Sequence, residues 1–240
     1  MHRLSARTFG VVATCLFASA PAYAQPDTAS GGGERFVRDV LGDYTRFLSR
    51  ETLLWLRVGG SAALAVHVAD EPLSADIPSA DLKGAQEYGG LIVQVPLALA
   101  WWGVGHLNGG RHGAAGRDLV RAQISAASWT YALKFAANRT RPNGEPRSFP
   151  SGHASSTFAT AAVLQQHYGW KVGVAGFSVA TYTAASRVSA EKHWASDVLL
   201  GCFLGIASGR AVTMRLRDTR LSIAPMVTGD RIGVAINVLD

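Results

Sequence analysis

The sequence predicts an all-α fold: a helical bundle of about six core helices, preceded by an amphipathic helix and followed by a short C-terminal β-hairpin. Three observations carry this expectation. Of 240 residues, 48% are apolar and 17% charged, enough to bury one substantial core and too apolar for disorder. Apolar stretches rich in Ala, Gly and Ser recur at lengths of roughly 15–20 residues, the span of a helix rather than a strand. Between them nothing alternates with period two until the tail.

In chain order, residues 1–24 carry Arg3 and Arg7, an apolar run over 9–20 and Ala22-Tyr23-Ala24 before Gln25, which reads as a secretory signal peptide cut after Ala24. The leader contains Cys15, so the mature chain keeps only Cys202 and forms no intrachain disulfide. Loss of Arg3 and Arg7 lowers the formal net charge from +6 to +4. Residues 25–34, QPDTASGGGE, form a flexible lead-in to a domain spanning 35–220. Phe36, Val37, Val40, Leu41, Tyr44, Phe47 and Leu48 recur at helical spacing against Arg35, Asp39, Asp43 and Arg46, giving an amphipathic helix that covers a core. Apolar helices follow over 53–68, 89–107, 119–135, 154–168, 172–185 and 194–214. In the tail, 221–240, Ile232, Val234, Ile236 and Val238 alternate with small residues after a Gly229-Asp230 turn, which predicts the hairpin. It is expected to cap the bundle.

Hydropathy leaves membrane crossing marginal. Residues 89–107 are the most membrane-like, though broken by Gln94 and Pro96, while Arg57, His67, Arg121, Gln123 and Gln165-Gln166-His167 sit in segments that hydrocarbon tolerates poorly. A cleaved leader puts the mature N-terminus outside, so three crossings would place the segment after Phe135 inside. Charge bias, with acids over 70–87 and Arg111, Arg117 and Arg121 after the second segment, places it outside. The expectation is therefore an exported, periplasmic bundle resting on the membrane, with an integral protein as the alternative.

The chemistry concentrates in three stretches. In SRVSAEKHWASD, 186–197, a helix from Lys192 would put His193 and Asp197 on one face, where the carboxylate fixes the imidazole tautomer and leaves the other nitrogen free to attack. Arg187 folding back beside it would offer a planar fork to an oxyanion. In KFAANRTRP, Lys134 and Arg141 are seven apart, two helical turns, and project to one side before Pro142; alone they read as a basic helix end. In FPSGH, Pro150, Ser151 and Gly152 shape a helix N-terminus that can surround an anion, with His153 at the rim; alone the pair reads as a cap. The seven His are scattered and no carboxylate or Cys cluster has metal-ligand spacing, so neither metal nor other cofactor is expected. His106, His112 and His167 read as structural or solvated, and His67 with Asp70 as a helix-end pair. No nucleotide loop or nucleic-acid pattern is present.

Taken in order, Lys134-x6-Arg141-Pro142, Pro150-Ser151-Gly152-His153 and Ser186-Arg187-x5-His193-x3-Asp197 resemble the three-part signature of the type 2 phosphatidic acid phosphatase family, itself similar to bacterial non-specific acid phosphatases and vanadium haloperoxidases. The signature covers about a quarter of the chain, with every position filled. The resemblance implies that His193 is the nucleophile, Asp197 its orienting carboxylate and His153 the acid for the leaving oxygen. Lys134, Arg141, Arg187, Ser151 and the Gly152 N–H would hold phosphate. The function expected is an exported, metal-independent phosphatase acting through phosphohistidine on a phosphorylated small molecule, a phospholipid or an isoprenyl pyrophosphate. A vanadate-dependent haloperoxidase and a non-enzymatic membrane transport or anchoring protein stand as alternatives. Arg139, Arg147 and Lys192 add charge for a second phosphate, and Trp101, Trp102, Trp129, Trp170 and Trp194 could form an interfacial rim.

Overall fold

In the computed structural model, residues 32–76 and 87–214 are described, together with the backbone of 220–228 and 231–239. The expected leader falls outside the described residues, as do 25–31 and 77–86. Helix α1 (Gly32–Phe47) starts four residues before its first apolar position, Phe36, inside the stretch read as a flexible lead-in. Ser49 then caps α2 (Arg50–His67), its Oγ accepting from the Thr52 N–H at 3.4 Å. A short α3 (Asp70–Asp76) follows. Four apolar segments become α4 (Leu91–Asn108), α6 (Gly152–Tyr168), α7 (Trp170–Ser189) and α8 (Ala195–Thr213). The segment expected over 119–135 is longer: α5 (Gly110–Ala137) begins in the polar run GRHGAAGRD.

The described body is all-α. The hairpin expected over 221–240 falls on residues of which only backbone pairing is described, Arg220–Thr228 against Arg231–Leu239 with Arg220 opposite Leu239. What that tail packs on lies outside the described residues.

Helix α8 is the axis of the bundle, buried along most of its length against α2, α5 and α6. Gly201, Gly205 and Gly209 repeat every four residues on the face towards α6. A Cβ at Gly201 would stand 2.6 Å from the Ser151 carbonyl oxygen and one at Gly209 2.7 Å from Ala162 Cβ; at Gly205 it would overlap the Ser155 carbonyl oxygen. Small residues at this spacing let two helix backbones touch. The contact fixes the start of α6 against the start of α8. Helix α1 closes the side of the bundle: Phe47 stacks on Trp129 at 4.8 Å and Phe36 on Trp102 at 5.3 Å, ring pairs each worth about 0.5–1.5 kcal/mol beyond burial.

Long helices alternate in direction. Arg210 reaches Glu51 at 3.0 Å and His112 Nδ1 meets the Tyr168 hydroxyl at 2.8 Å at one end. At the other, Asp70 meets Ser196, and the Gly89-Gly90 turn before α4 lies against His153 at the start of α6. Of the residues that argue against hydrocarbon, Arg57 and His67 stay exposed, and the others turn inward. Arg121 is buried between Asp43 (2.5 and 2.8 Å) and Asp118 (2.9 Å), and His167 meets Asp118 at 3.0 Å. Gln123 donates to Thr160 at 2.8 Å, and Thr160 to Gln94 at 2.8 Å. The expected His67–Asp70 pair is made at 3.1 Å.

The glycine contact predicts a graded response. Gly205→Ala puts a methyl against the α6 backbone and should cost about 1–3 kcal/mol, read as a lower thermal unfolding midpoint by circular dichroism. Gly60→Ala, with open space around its Cβ, should leave the midpoint unchanged or slightly raised. Equal midpoints for the two variants would contradict the close α6–α8 approach.

Candidate active site

Three helix ends, a turn and a loop meet at one end of the bundle around a cavity of about 220 Å³. Its lining includes Lys134 from α5, Gly152, His153, Ser155 and Ser156 from α6, Arg187 from α7, Arg141 from the loop after α5 and His193 from the turn before α8. Six of the eight residues singled out in the sequence therefore face one space. Ser151 and Asp197 lie buried behind it.

The chain delivers each group by a local device. Lys134 and Arg141 do not share a helix: Asn138 takes a left-handed conformation (φ 41°) and ends α5, its N–H bonding the Lys134 carbonyl at 3.0 Å. The following loop then turns Arg141 back over the cavity. It is pinned by Ser148 N to Arg139 O at 2.7 Å, Asn143 N to Glu191 O at 3.2 Å and Trp194 Nε1 to Thr140 O at 2.8 Å. Lys134 Nζ donates to the Arg147 carbonyl at 2.7 Å, which holds the ammonium under the loop. Ser151 caps α6, accepting from the Ala154 N–H at 3.4 Å, while its own N–H donates to the Asp197 carbonyl at 3.0 Å.

His193 and Asp197 also differ from the expected arrangement. Helix α8 starts at Ala195, so His193 lies in the preceding turn, anchored by its N–H to the Arg187 carbonyl at 3.2 Å. The cause is capping. Asp197 Oδ2 accepts the Trp194 N–H at 3.0 Å, satisfying a donor that a helix start would leave free, and the helix cannot extend back to Lys192. Oδ2 also accepts from the Ser148 hydroxyl and stands 3.9 Å from His193 Nδ1, beyond hydrogen-bond length. Oδ1 accepts from Arg139 Nη1 at 2.7 Å.

Burial and then the charges of Lys134, Arg141 and Arg187 push His193 well below its ordinary pKa, with the Ser148 carbonyl acting weakly in the opposite sense. The imidazole is held neutral. The extra cations are not free for a second phosphate. Arg139 is taken by Asp197 and Asp70, Lys192 pairs with Glu145 at 3.0 Å, and Arg147 lies over the Phe135 ring at 4.5 Å. Glu145 also meets Arg141 at 2.6 Å. Nor do the tryptophans form one rim: Trp129 packs on Phe47 and Trp102 on Phe36, whereas Trp194 lies at the site, 5.4 Å from the Arg139 guanidinium.

A constellation of three cations, a capped helix N-terminus and two histidines is suited to a tetrahedral oxyanion. Residues 117–220, which contain every one of these positions, match the PAP2 superfamily model. Over these residues the chain is similar to the PAP2 superfamily, to which type 2 phosphatidic acid phosphatases belong. It is 38% identical over 107 residues to a lipid A 1-phosphatase of Porphyromonas gingivalis, an alignment covering 42% of this chain and 24% of that protein. The chain spans about a quarter of the length of the curated relatives it matches. The fold is also that of a transmembrane PAP2-type phosphatidylglycerolphosphate phosphatase from Bacillus subtilis, with a TM-score of 0.59 at 20% identity over 71% of this chain and 96% of that one.

Sequence reasoning missed three contributors to this site. Ser148 supplies a hydroxyl to Asp197. Gly89 lets the turn before α4 lie on His153, since a Cβ there would stand 3.0 Å from His153 Cβ and Cδ2. Arg139 was read as surplus charge. None has a local signature, because each acts on a residue distant in the chain.

The depressed pKa gives a direct expectation. Ring ¹⁵N shifts of labelled His193 should report a neutral imidazole as pH falls through 6.5, with protonation only well below it. Folded protein then binds fewer protons here than unfolded protein, so stability contributed by this group falls as pH drops below 6.5. A His193 midpoint at or above 6.5 would contradict the site electrostatics.

Proposed function

We propose that this PAP2 protein is a phosphatase that cleaves lipid phosphates through a phosphohistidine on His193, without a metal. The observation that carries the reading is the convergence of Lys134, Arg141, Arg187, Gly152, His153 and His193 on one cavity. Lys134, Arg141 and Arg187, with the first amides of α6 positioned by the Ser151 cap, neutralise the equatorial phosphate oxygens. His193 Nδ1 faces Asp197, which leaves Nε2 to attack. The P–N bond forms as the ester P–O bond breaks, and His153 gives its proton to the leaving oxygen. Water then attacks phosphorus, its proton passes to His153, and the P–N bond breaks to release phosphate and neutral His193.

Support for a lipid substrate comes from the outer surface. Helix α4 is turned inside out: Gln94 is 1% exposed, whereas Ile92 and Leu107 are each 86% exposed. Leu97, Leu99 and Val104 of α4 and Val172, Val174, Val179 and Tyr182 of α7 also face outward. Apolar outside and polar inside is the arrangement that acyl chains favour. Among the described residues, α8 alone is long and apolar enough by composition to cross a bilayer, and it is the buried axis. We therefore place α4 and α7 against lipid, in preference to a bundle resting on the membrane. With the site at the periplasmic face, the opposite end, where the start of α2 meets the end of α8 through Glu51 and Arg210, lies inside. Cleavage after Ala24 does not fit this placement; N-terminal sequencing of the purified chain decides between them.

Protein purified in detergent should release phosphate from phosphatidate in mixed micelles with a higher kcat/KM than from a water-soluble aryl phosphate, and EDTA should leave the rate intact. His193→Ala should lose at least about a thousandfold in kcat, and wild type quenched in alkaline denaturant, which preserves a P–N bond, should carry label on His193. An active His193→Ala variant, label on Ser151, or activity restored only by divalent metal would overturn the mechanism. The membrane placement is read separately: the chain should stay in the pellet after carbonate extraction, and release into the supernatant would refute it.

A further inference from the structure

We propose that Asp70 and Arg139 are positioning residues that hold the Asp197 carboxylate behind His193, so that the start of α3, far away in sequence, sets the nucleophile's orientation. The inference rests on the phosphatase reading for its kinetic consequence, and on geometry alone for the arrangement. Asp70 is 3% exposed although it opens a short helix at the molecular surface. Its Oδ1 accepts the Ser196 N–H at 2.9 Å; its Oδ2 accepts from the Ser196 hydroxyl at 2.5 Å and from Arg139 Nη2 at 2.8 Å. Arg139 spends its other nitrogen on the site, with Nη1 at 2.7 Å from Asp197 Oδ1 and 2.8 Å from Ser196 Oγ. One guanidinium thus bridges two buried carboxylates.

The consequence is directional. Asp197 Oδ1 is fixed by Arg139, and Oδ2 is divided among the Ser148 hydroxyl, the Trp194 N–H and the approach to His193 Nδ1. Without Arg139 the carboxylate can rotate about its last torsion, and its charge is no longer neutralised from behind. Asp70 keeps Arg139 in place and also supplies the first turn of α8 with an acceptor for a free N–H, at the end where negative charge is favourable. Burial alone would raise the Asp70 carboxyl, but donors from Ser196 and Arg139 outweigh it and hold it below the ordinary carboxylate value. Asp70 is therefore charged at neutral pH. The geometry requires a cation at 139, and the fork shape is what allows one side chain to serve both acids.

The test compares Arg139→Gln, Arg139→Lys and Asp70→Asn in the full-length chain in detergent, with circular dichroism and thermal midpoints as folding controls. Arg139→Gln should lower kcat about 10–100-fold while KM and product inhibition by inorganic phosphate stay near wild type, because Lys134, Arg141 and Arg187 are untouched. Arg139→Lys should recover part of the loss. Asp70→Asn should show the same split more weakly, and the double variant Asp70→Asn/Arg139→Gln should be no slower than Arg139→Gln alone. The second readout needs no turnover. His193 is faced by Lys134, Arg141, Arg187 and Asp197, and freeing the Asp197 charge should move its titration midpoint to higher pH in Arg139→Gln. Should Arg139→Gln fail to fold, Asp70→Asn carries both measurements. An unchanged kcat and unchanged His193 midpoint in folded variants would overturn the positioning role. A wild-type chain with no phosphatase activity would instead defeat the functional reading, and the His193 midpoint would still decide the proposal.

Discussion

Asp197 is a buried carboxylate on which three separate parts of the chain depend. Its side chain takes a hydroxyl from Ser148, an amide from Trp194 and a guanidinium from Arg139, and its backbone carbonyl takes the amide of Ser151. Those partners come from the loop after α5, the turn before α8 and the cap of α6. A buried charge is tolerable only when its oxygens are occupied, so the need to satisfy one acid aligns three elements at the same end of the bundle. His193, Arg141 and the α6 N-terminus are all attached to those elements.

Packing supplies the rigidity that such an arrangement needs. The glycine face of α8 brings α6 so close that Ser151 and Ser155 carbonyls lie where a Cβ would be. That contact sets the position of the α6 N-terminus relative to Asp197 to within atomic dimensions, and hydrogen bonds alone would not. Elsewhere in the bundle Arg121, Asp43 and Asp118 satisfy one another inside, Gln123 and Gln94 meet through Thr160, and Ile92, Leu97, Leu99 and Leu107 of α4 stand outside.

Much of this was legible in the sequence, for physical reasons. Apolar runs of helical length marked α4, α6, α7 and α8 to within a few residues, and the FPSGH turn marked the α6 cap, because both signals are local. What failed was non-local. A four-residue spacing suggested that His193 and Asp197 share a helix, yet Asp197 instead reaches back to cap Trp194 and stops the helix at Ala195. A seven-residue spacing suggested the same for Lys134 and Arg141, and the left-handed Asn138 broke it. Arg121 and Gln94 argue against hydrocarbon only where they point outward, and the fold buries both. Arg139 could not be told from the neighbouring Arg147, since its meaning comes from Asp70, 69 residues earlier.

The central claim is that three cations and the α6 N-terminus hold a tetrahedral anion against His193. A structure of the detergent-solubilised protein with orthovanadate measures this most directly. The account predicts vanadium bonded to His193 Nε2, with its oxygens within hydrogen-bond distance of Lys134, Arg141, Arg187 and the Gly152 N–H. Vanadate bonded to Ser151, or seated on the outer Arg147 and Lys192 with the cavity empty, would contradict it.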